Sequence, residues 1–225
     1  MLGIDLFGSG ANGRLLRGRL QALIATFKLS LKARQYGIFA AIGFLALGGN
    51  AHADWVLNNE QSQLNFISIK ATHVAEVHHF KSLAGSIDDS GDGQVSIDLT
   101  SVATGIDIRN QRMQSMLFMS DQMPQATIDY AIKLAPFLDM ATGDTADITL
   151  DAQLSLVGMT QQIAAPLQVL KLSDAKVQVA TTSPLIINVA SAGLTQGVDA
   201  LREIAGLPSI SYAVPVTFRL TFEQE

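Results

Sequence analysis

Within seven residues the chain places His73, Glu76, His78 and His79, its densest group of side chains able to ligate a metal or exchange a proton. A metal site needs three or four converging ligands, and no further ligand stands at a recognisable spacing. The stretch is therefore read as an exposed polar loop between strands, with no metal. Asp88, Ser90, Asp92 and Gly93 imitate the opening of a calcium loop, but the twelfth position, where a bidentate Glu is required, is Leu99. A hairpin turn is expected there. Arg109 and Arg112, beside Asn110 and Gln111, open a helical stretch. A guanidinium at that point would pair with an anionic head group or make ordinary surface ion pairs.

Catalytic and phosphate-binding patterns are missing from the sequence. There is no G-x-S-x-G, no Ser–His–Asp order with supporting context, and neither a phosphate loop nor a dinucleotide fingerprint. A chain without cysteine has no disulfide, thiolate zinc site, iron–sulfur ligation or cysteine nucleophile. No enzyme activity and no cofactor are expected.

Charge divides the chain in two. Residues 1–53 hold six basic groups against Asp5 alone, whereas residues 54–225 hold nine basic and nineteen acidic groups. A body so acidic repels phosphate backbones, so nucleic acid is excluded as a partner. The basic stretch ends at Arg34 and an apolar run from Tyr36 to Leu47 follows, then Ala51-His52-Ala53. That order describes a secretory signal peptide over 1–53, cleaved between Ala53 and Asp54. The run falls short of the roughly 20 residues a membrane helix needs. A bacterial exported protein located in the periplasm is expected.

From Asp54 onward, apolar residues alternate with polar ones. Tyr212, Val214, Val216, Phe218, Leu220 and Phe222 lie on one face of a single run, and Ile148, Leu150, Ala152, Leu154 and Leu156 on one face of another. Such alternation marks half-buried antiparallel strands. Strands are expected at 63–70, 83–87, 95–99, 126–134, 146–157, 162–172, 176–181, 185–189 and 211–223. A dozen residues reach roughly 40 Å, and long strands in that number favour a closed barrel with a tall interior. Two stretches, 109–118 and 197–205, change to helical spacing. The expected fold is all-β: one domain over 54–225, an eight-stranded antiparallel barrel with one or two short helices.

Several segments carry a likeness. Ser101-Val-Ala-Thr-Gly-Ile-Asp-Ile-Arg-Asn-Gln-Arg-Met113 resembles the S-V-x-T-G-x-x-x-R-[DN]-x-x-[ML] segment of the YceI-like family. Trp55–Ser62 is similar to its opening W-x-[IL]-D-x-x-x-S, Met123–Ile128 to F-P-x-[AI]-T-F, and Leu154–Thr160 to L-T-[IL]-x-G-x-T. Asn58 and Asn110 stand where many members have Asp, and Met123 where Phe is usual. The resemblance implies a lipocalin-like periplasmic barrel whose interior holds a polyisoprenoid or related lipid.

The resulting expectation is a carrier for a long-chain isoprenoid or similar amphiphile. Phe66, Tyr130, Leu154, Leu156, Val216, Phe218 and Phe222 are expected to line the interior, with Arg109 and Asn110 at the head group. The rival expectation is a side-chain-filled barrel acting in envelope stress on a membrane partner. An inner-membrane protein partner and a homodimer are further expectations. A hydrolase or isomerase would need a titratable group in the cavity, and the alternating faces offer only Tyr130 and Tyr212.

Overall fold

The structure is a computed structural model that describes residues 54–225. The expected signal peptide and its cleavage site at Ala53 lie outside the described residues. Twelve strands form one antiparallel sheet: β1 (Trp55–Leu57), β2 (Gln63–Lys70), β3 (Val74–Phe80), β4 (Leu83–Ile87), β5 (Asp92–Asp98), β6 (Val102–Ala103), β7 (Gln125–Ala131), β8 (Thr145–Leu156), β9 (Met159–Ser173), β10 (Lys176–Thr181), β11 (Leu185–Asn188) and β12 (Ala213–Gln224). Helix α1 (Asp107–Arg112) runs on into a wider π-helical turn over Met113–Phe118; α2 is Ala135–Leu138 and α3 is Thr195–Ile204.

Eight strands close a ring in the order β1-β4-β5-β7-β8-β9-β10-β12, and β12 pairs back to β1. The lower part of β12 lies between β10 and β1, with Phe222 opposite both Val177 and Leu57. Its upper part lies between β11 and β2, with Val216 opposite both Leu185 and Phe66. Strands β1 and β2 thus occupy one edge of β12 in succession. A single 3-10 turn at Asn59–Gln61 separates them, and Asn58 caps it by accepting from the Gln61 N–H.

The longest hairpin, β8–β9, turns on Val157 and Gly158, both with positive φ (47° and 75°). This is the backbone that matches the right-handed twist of a two-residue hairpin. Glycine adopts it freely, whereas a β-branched valine is strained there.

The strand expectations hold for the long elements and miss three short or polar ones. β1 and β6 are too short to display a period. The exposed loop expected at 73–79 is instead β3, a full strand with His78 buried. The run expected through Leu134 ends at Ala131, because Pro136 in the first turn of α2 carries the chain away from the sheet. The Asp88 segment is a hairpin turn, in which Asp88 Oδ1 accepts from Ser90 Oγ (2.6 Å) and the Asp92 N–H (3.0 Å).

Helix α1 with its π-helical continuation and helix α3 cover one end of the barrel, and the contact of that π-helical turn with α3 depends on a missing side chain. A Cβ on Gly197 would lie 2.7 Å from the Met116 carbonyl oxygen and 2.8 Å from the Leu117 Cα. Both are backbone atoms with no freedom to rotate away. Gly197→Ala is therefore expected to destabilise the fold by about 1–3 kcal/mol, the usual range for overpacking. Urea unfolding would measure it, and unchanged stability would mean the two helices slide apart freely.

Candidate functional site

Because side chains alternate across each strand, one face of every ring strand points into the barrel. The interior is not filled. A central cavity of about 150 Å³ is walled by twenty residues, every one apolar. Below it lies a cavity of about 80 Å³ whose wall carries a single polar group, the Tyr130 hydroxyl. The two share Leu64, Ile128, Ile163 and Phe218. A smaller space of about 50 Å³ follows at the α2 end, sharing Ile87, Ile132, Val169 and Val179 with the second. Apolar cavities of the central one's size stay dry and accept hydrocarbon.

At the α1–α3 end the character of the wall changes. A mouth of about 300 Å³ shares Phe66, Leu117, Val189, Val198 and Val214 with the central cavity but also carries Ser68, Lys70, Glu76, His78, Arg109 and Arg112. Glu76 Oε2 accepts from Lys70 Nζ (2.7 Å) and Arg109 Nη1 (2.8 Å). The Lys70 hydrogen bond, and then the nearby guanidinium, hold its carboxyl below the usual carboxylate range despite partial burial. Arg109 also donates through Nη2 to the Thr104 carbonyl. Arg112 has no ion-pair partner among the described residues.

His78 is 2% exposed and pairs its Nε2 with Ser68 Oγ at 2.8 Å. Its Nδ1 and the Nε of Arg109 are buried without a partner. Both residues line the mouth. Burial, reinforced by the positive charge of Arg109, keeps the imidazole pKa below 6.5. A short aromatic chain leads inward from it: His78 to Phe66 (5.2 Å between ring centres), Phe66 to Phe80 (5.4 Å), Phe80 to Phe118 (5.8 Å).

The residues singled out in the sequence fall as follows. Phe66, Leu154, Leu156, Val216 and Phe218 line the central cavity, and Tyr130, Phe218 and Phe222 the one below. Tyr130 packs against Gly93, where a Cβ would come within 2.4 Å of the ring. Burial drives its pKa far above the ordinary phenol value, so the hydroxyl stays neutral. Arg109 lines the mouth; Asn110 does not, because its Oδ1 accepts from both the N–H and the Oγ1 of Thr104 and holds the loop before α1. His73 and His79 are exposed, while Glu76 and His78 share the inward face of β3, so the sequence cluster is split. Among the described residues no group of three or more acidic or histidine side chains converges to hold a metal.

Sequence reasoning missed Ser68 and Lys70 and misjudged His78. The available signal was the alternation Val74, Glu76, His78, Phe80, which is a strand period with polar residues at inward positions.

A family model for the YceI-like domain matches residues 55–222. The chain belongs to the YceI-like family. Among solved structures, a polyisoprenoid-binding domain from Saccharophagus degradans, implicated in plant cell wall breakdown, is 40% identical, with a TM-score of 0.75 over 76% of this chain and 98% of that one. BcnA of Burkholderia cenocepacia shares the fold at 20% identity, with a TM-score of 0.55 over 73% of this chain and 98% of its own. No match was found among curated protein sequences.

The mouth gives a pH dependence whose sign follows from the depressed pKa values. Unfolded His78 takes up its proton near pH 6.5 and the folded residue only below that. Its contribution to stability is therefore complete above pH 6.5 and falls away as acid is added. Glu76 adds a second loss, beginning below its ordinary value of 4.5. Urea unfolding between pH 7 and about pH 5 is expected to show declining stability in the wild type and a flatter profile in His78→Gln. Equal slopes would mean that His78 titrates in the fold as it does in the unfolded chain.

Proposed function

We propose that this chain is a non-enzymatic periplasmic binding protein that carries a long-chain isoprenoid or related amphiphilic lipid. The tail would lie along the central and lower cavities and the polar head beside Arg109 and His78. The observation that carries this reading is the apolar wall leading inward from the polar mouth. It is supported by the 40% identity to a polyisoprenoid-binding domain. The positively charged segment, apolar run and Ala51-His52-Ala53 of the sequence support export.

Magnitudes assign the roles. Each buried CH₂ contributes about 0.8 kcal/mol, so one five-carbon unit contributes roughly 4 kcal/mol before the losses of association. A partly exposed ion pair contributes about 0–1 kcal/mol. Affinity therefore comes from the tail, while the polar mouth sets which end enters last and which head groups are tolerated. The rival reading of an interior packed with its own side chains is disfavoured by the cavities themselves.

Protein made in a bacterial host that synthesises long isoprenoids should release a stoichiometric lipid on organic extraction, identified by mass spectrometry. Val216→Trp, which fills the central cavity, is expected to reduce that lipid by about tenfold or more, the equivalent of two lost methylene contacts. Lipid-free wild-type protein would sink the proposal. Arg109→Gln is expected to change total lipid less than about fivefold, in keeping with a weak ion pair, while altering the spread of head groups recovered.

A further inference from the structure

Around the mouth, three large apolar side chains face solvent: Ile106 (47% exposed), Ile108 (52%) and Ile204 (49%). All three also line the mouth cavity, together with Leu207. Ile106 and Ile108 stand at the start of α1 and Ile204 at the end of α3, so the two covering helices each contribute to one apolar rim. A soluble surface that exposes isoleucine around a cavity opening marks an interaction site.

The charge beside this rim indicates what it meets. Residues 54–225 carry nine basic groups and nineteen acidic ones. Three of the nine, Lys70, Arg109 and Arg112, nevertheless gather on the wall of this one cavity against Glu76 alone. Asp107 and Glu203 are exposed beside the isoleucines and offset part of that charge, and Lys70 and Arg109 are paired with Glu76; Arg112, without an ion-pair partner among the described residues, remains to meet an anion. A second copy docked face to face about a two-fold axis would bring the same cationic wall against itself. An anionic lipid surface complements it, and isoleucines that enter the interface between head groups and acyl chains complete the match.

We infer that this rim docks on an anionic phospholipid bilayer, with Ile106, Ile108 and Ile204 inserted and Arg112 against head-group phosphates. The inference rests on the carrier reading for its purpose, since docking at the mouth lets a lipid pass between bilayer and barrel without crossing water. Docking itself needs no cargo and is measured apart from it.

The test is co-flotation of the purified protein with vesicles of phosphatidylcholine alone and of an equal mixture with phosphatidylglycerol. Wild type is expected to float with the mixed vesicles and to be released by salt, because the cationic contribution is screened. The double variant Ile106→Asp/Ile108→Asp should lose at least about tenfold in partitioning, and Arg112→Glu should lose binding to the mixed vesicles. Leu172→Asp, at the opposite end of the barrel beside Lys171 and Asp174, should float as wild type does. The isoleucines and Leu172 are exposed, so circular dichroism and melting should be unaltered and weaker flotation would report the surface. Wild type left in the supernatant with both vesicle types, or rim variants that float as well as wild type, would overturn the inference. So would a wild-type dimer, seen by light scattering, that the rim variants dissolve, since a second copy would then be the occupant. Lipid recovered from the barrel in a protein that never floats leaves the carrier reading standing and removes this one.

Discussion

Strand β12 is hydrogen-bonded along both edges, and the rest of the molecule depends on that closure. Its lower half joins β10 to β1 and seals a ring of eight strands, while its upper half takes β11 and β2. A closed ring has no free edge to satisfy, and it obliges alternate residues of every strand to point at one another across the barrel. Phe218 illustrates the consequence: it reaches both the central and the lower cavity, and its β12 neighbours Val216 and Leu220 line one cavity each. The walls are held apart by backbone hydrogen bonds and not by the side chains between them. Space therefore remains where an open sandwich would have collapsed.

Within such a wall, Glu76, Lys70 and Arg109 need explaining. Partly exposed ion pairs contribute about 0–1 kcal/mol, and deep burial of a charge costs several, so stability is no reason to keep three charges at the edge of an apolar chamber. Their positions are graded in depth. Lys70, Glu76 and Arg109 stay in reach of water, and the deeper His78 is held neutral by burial. The arrangement lets polarity fall from the mouth inward without any charged group reaching the central cavity.

The fold was largely legible because the long strands β8 and β12 keep a strict period of two with apolar residues inward. The same rule concealed β3. Its inward positions hold Glu76 and His78 while its outward face shows Val77, 67% exposed, so the strand reads inside out to any method that equates apolar with buried. The apolar lining was legible for the reason the strands were; the polar mouth was not, since Ser68, Lys70, Glu76, His78 and Arg109 come from two strands and a helix. Their meeting depends on the β2–β3 register, in which Ser68 stands opposite Glu76 and Phe66 opposite His78. Asn110 shows the opposite error: its neighbour faces the cavity, but its own amide is taken by Thr104.

The two ends of the barrel are built to different plans. At the α2 end, Lys171 is buried (5% exposed) and donates to the Leu138 carbonyl at 2.7 Å, while its backbone bonds both Gly143 and Asp144. Breaking that contact would leave the buried ammonium with only the exposed Asp174 carboxylate, 3.6 Å away, so the segment from Ala135 to Asp144 is tied across the strands. At the α1–α3 end the covering consists of apolar packing around Gly197, a loop pinned by Asn110, and a π-helical turn. The charged tie from this covering to the strands, Arg109 of α1 to Glu76 of β3, is partly exposed and so weaker than the buried Lys171 contact. The easier separation is therefore at the polar end. A long apolar chain whose head remains in the mouth needs only that end to yield, and the tied end can act as the floor.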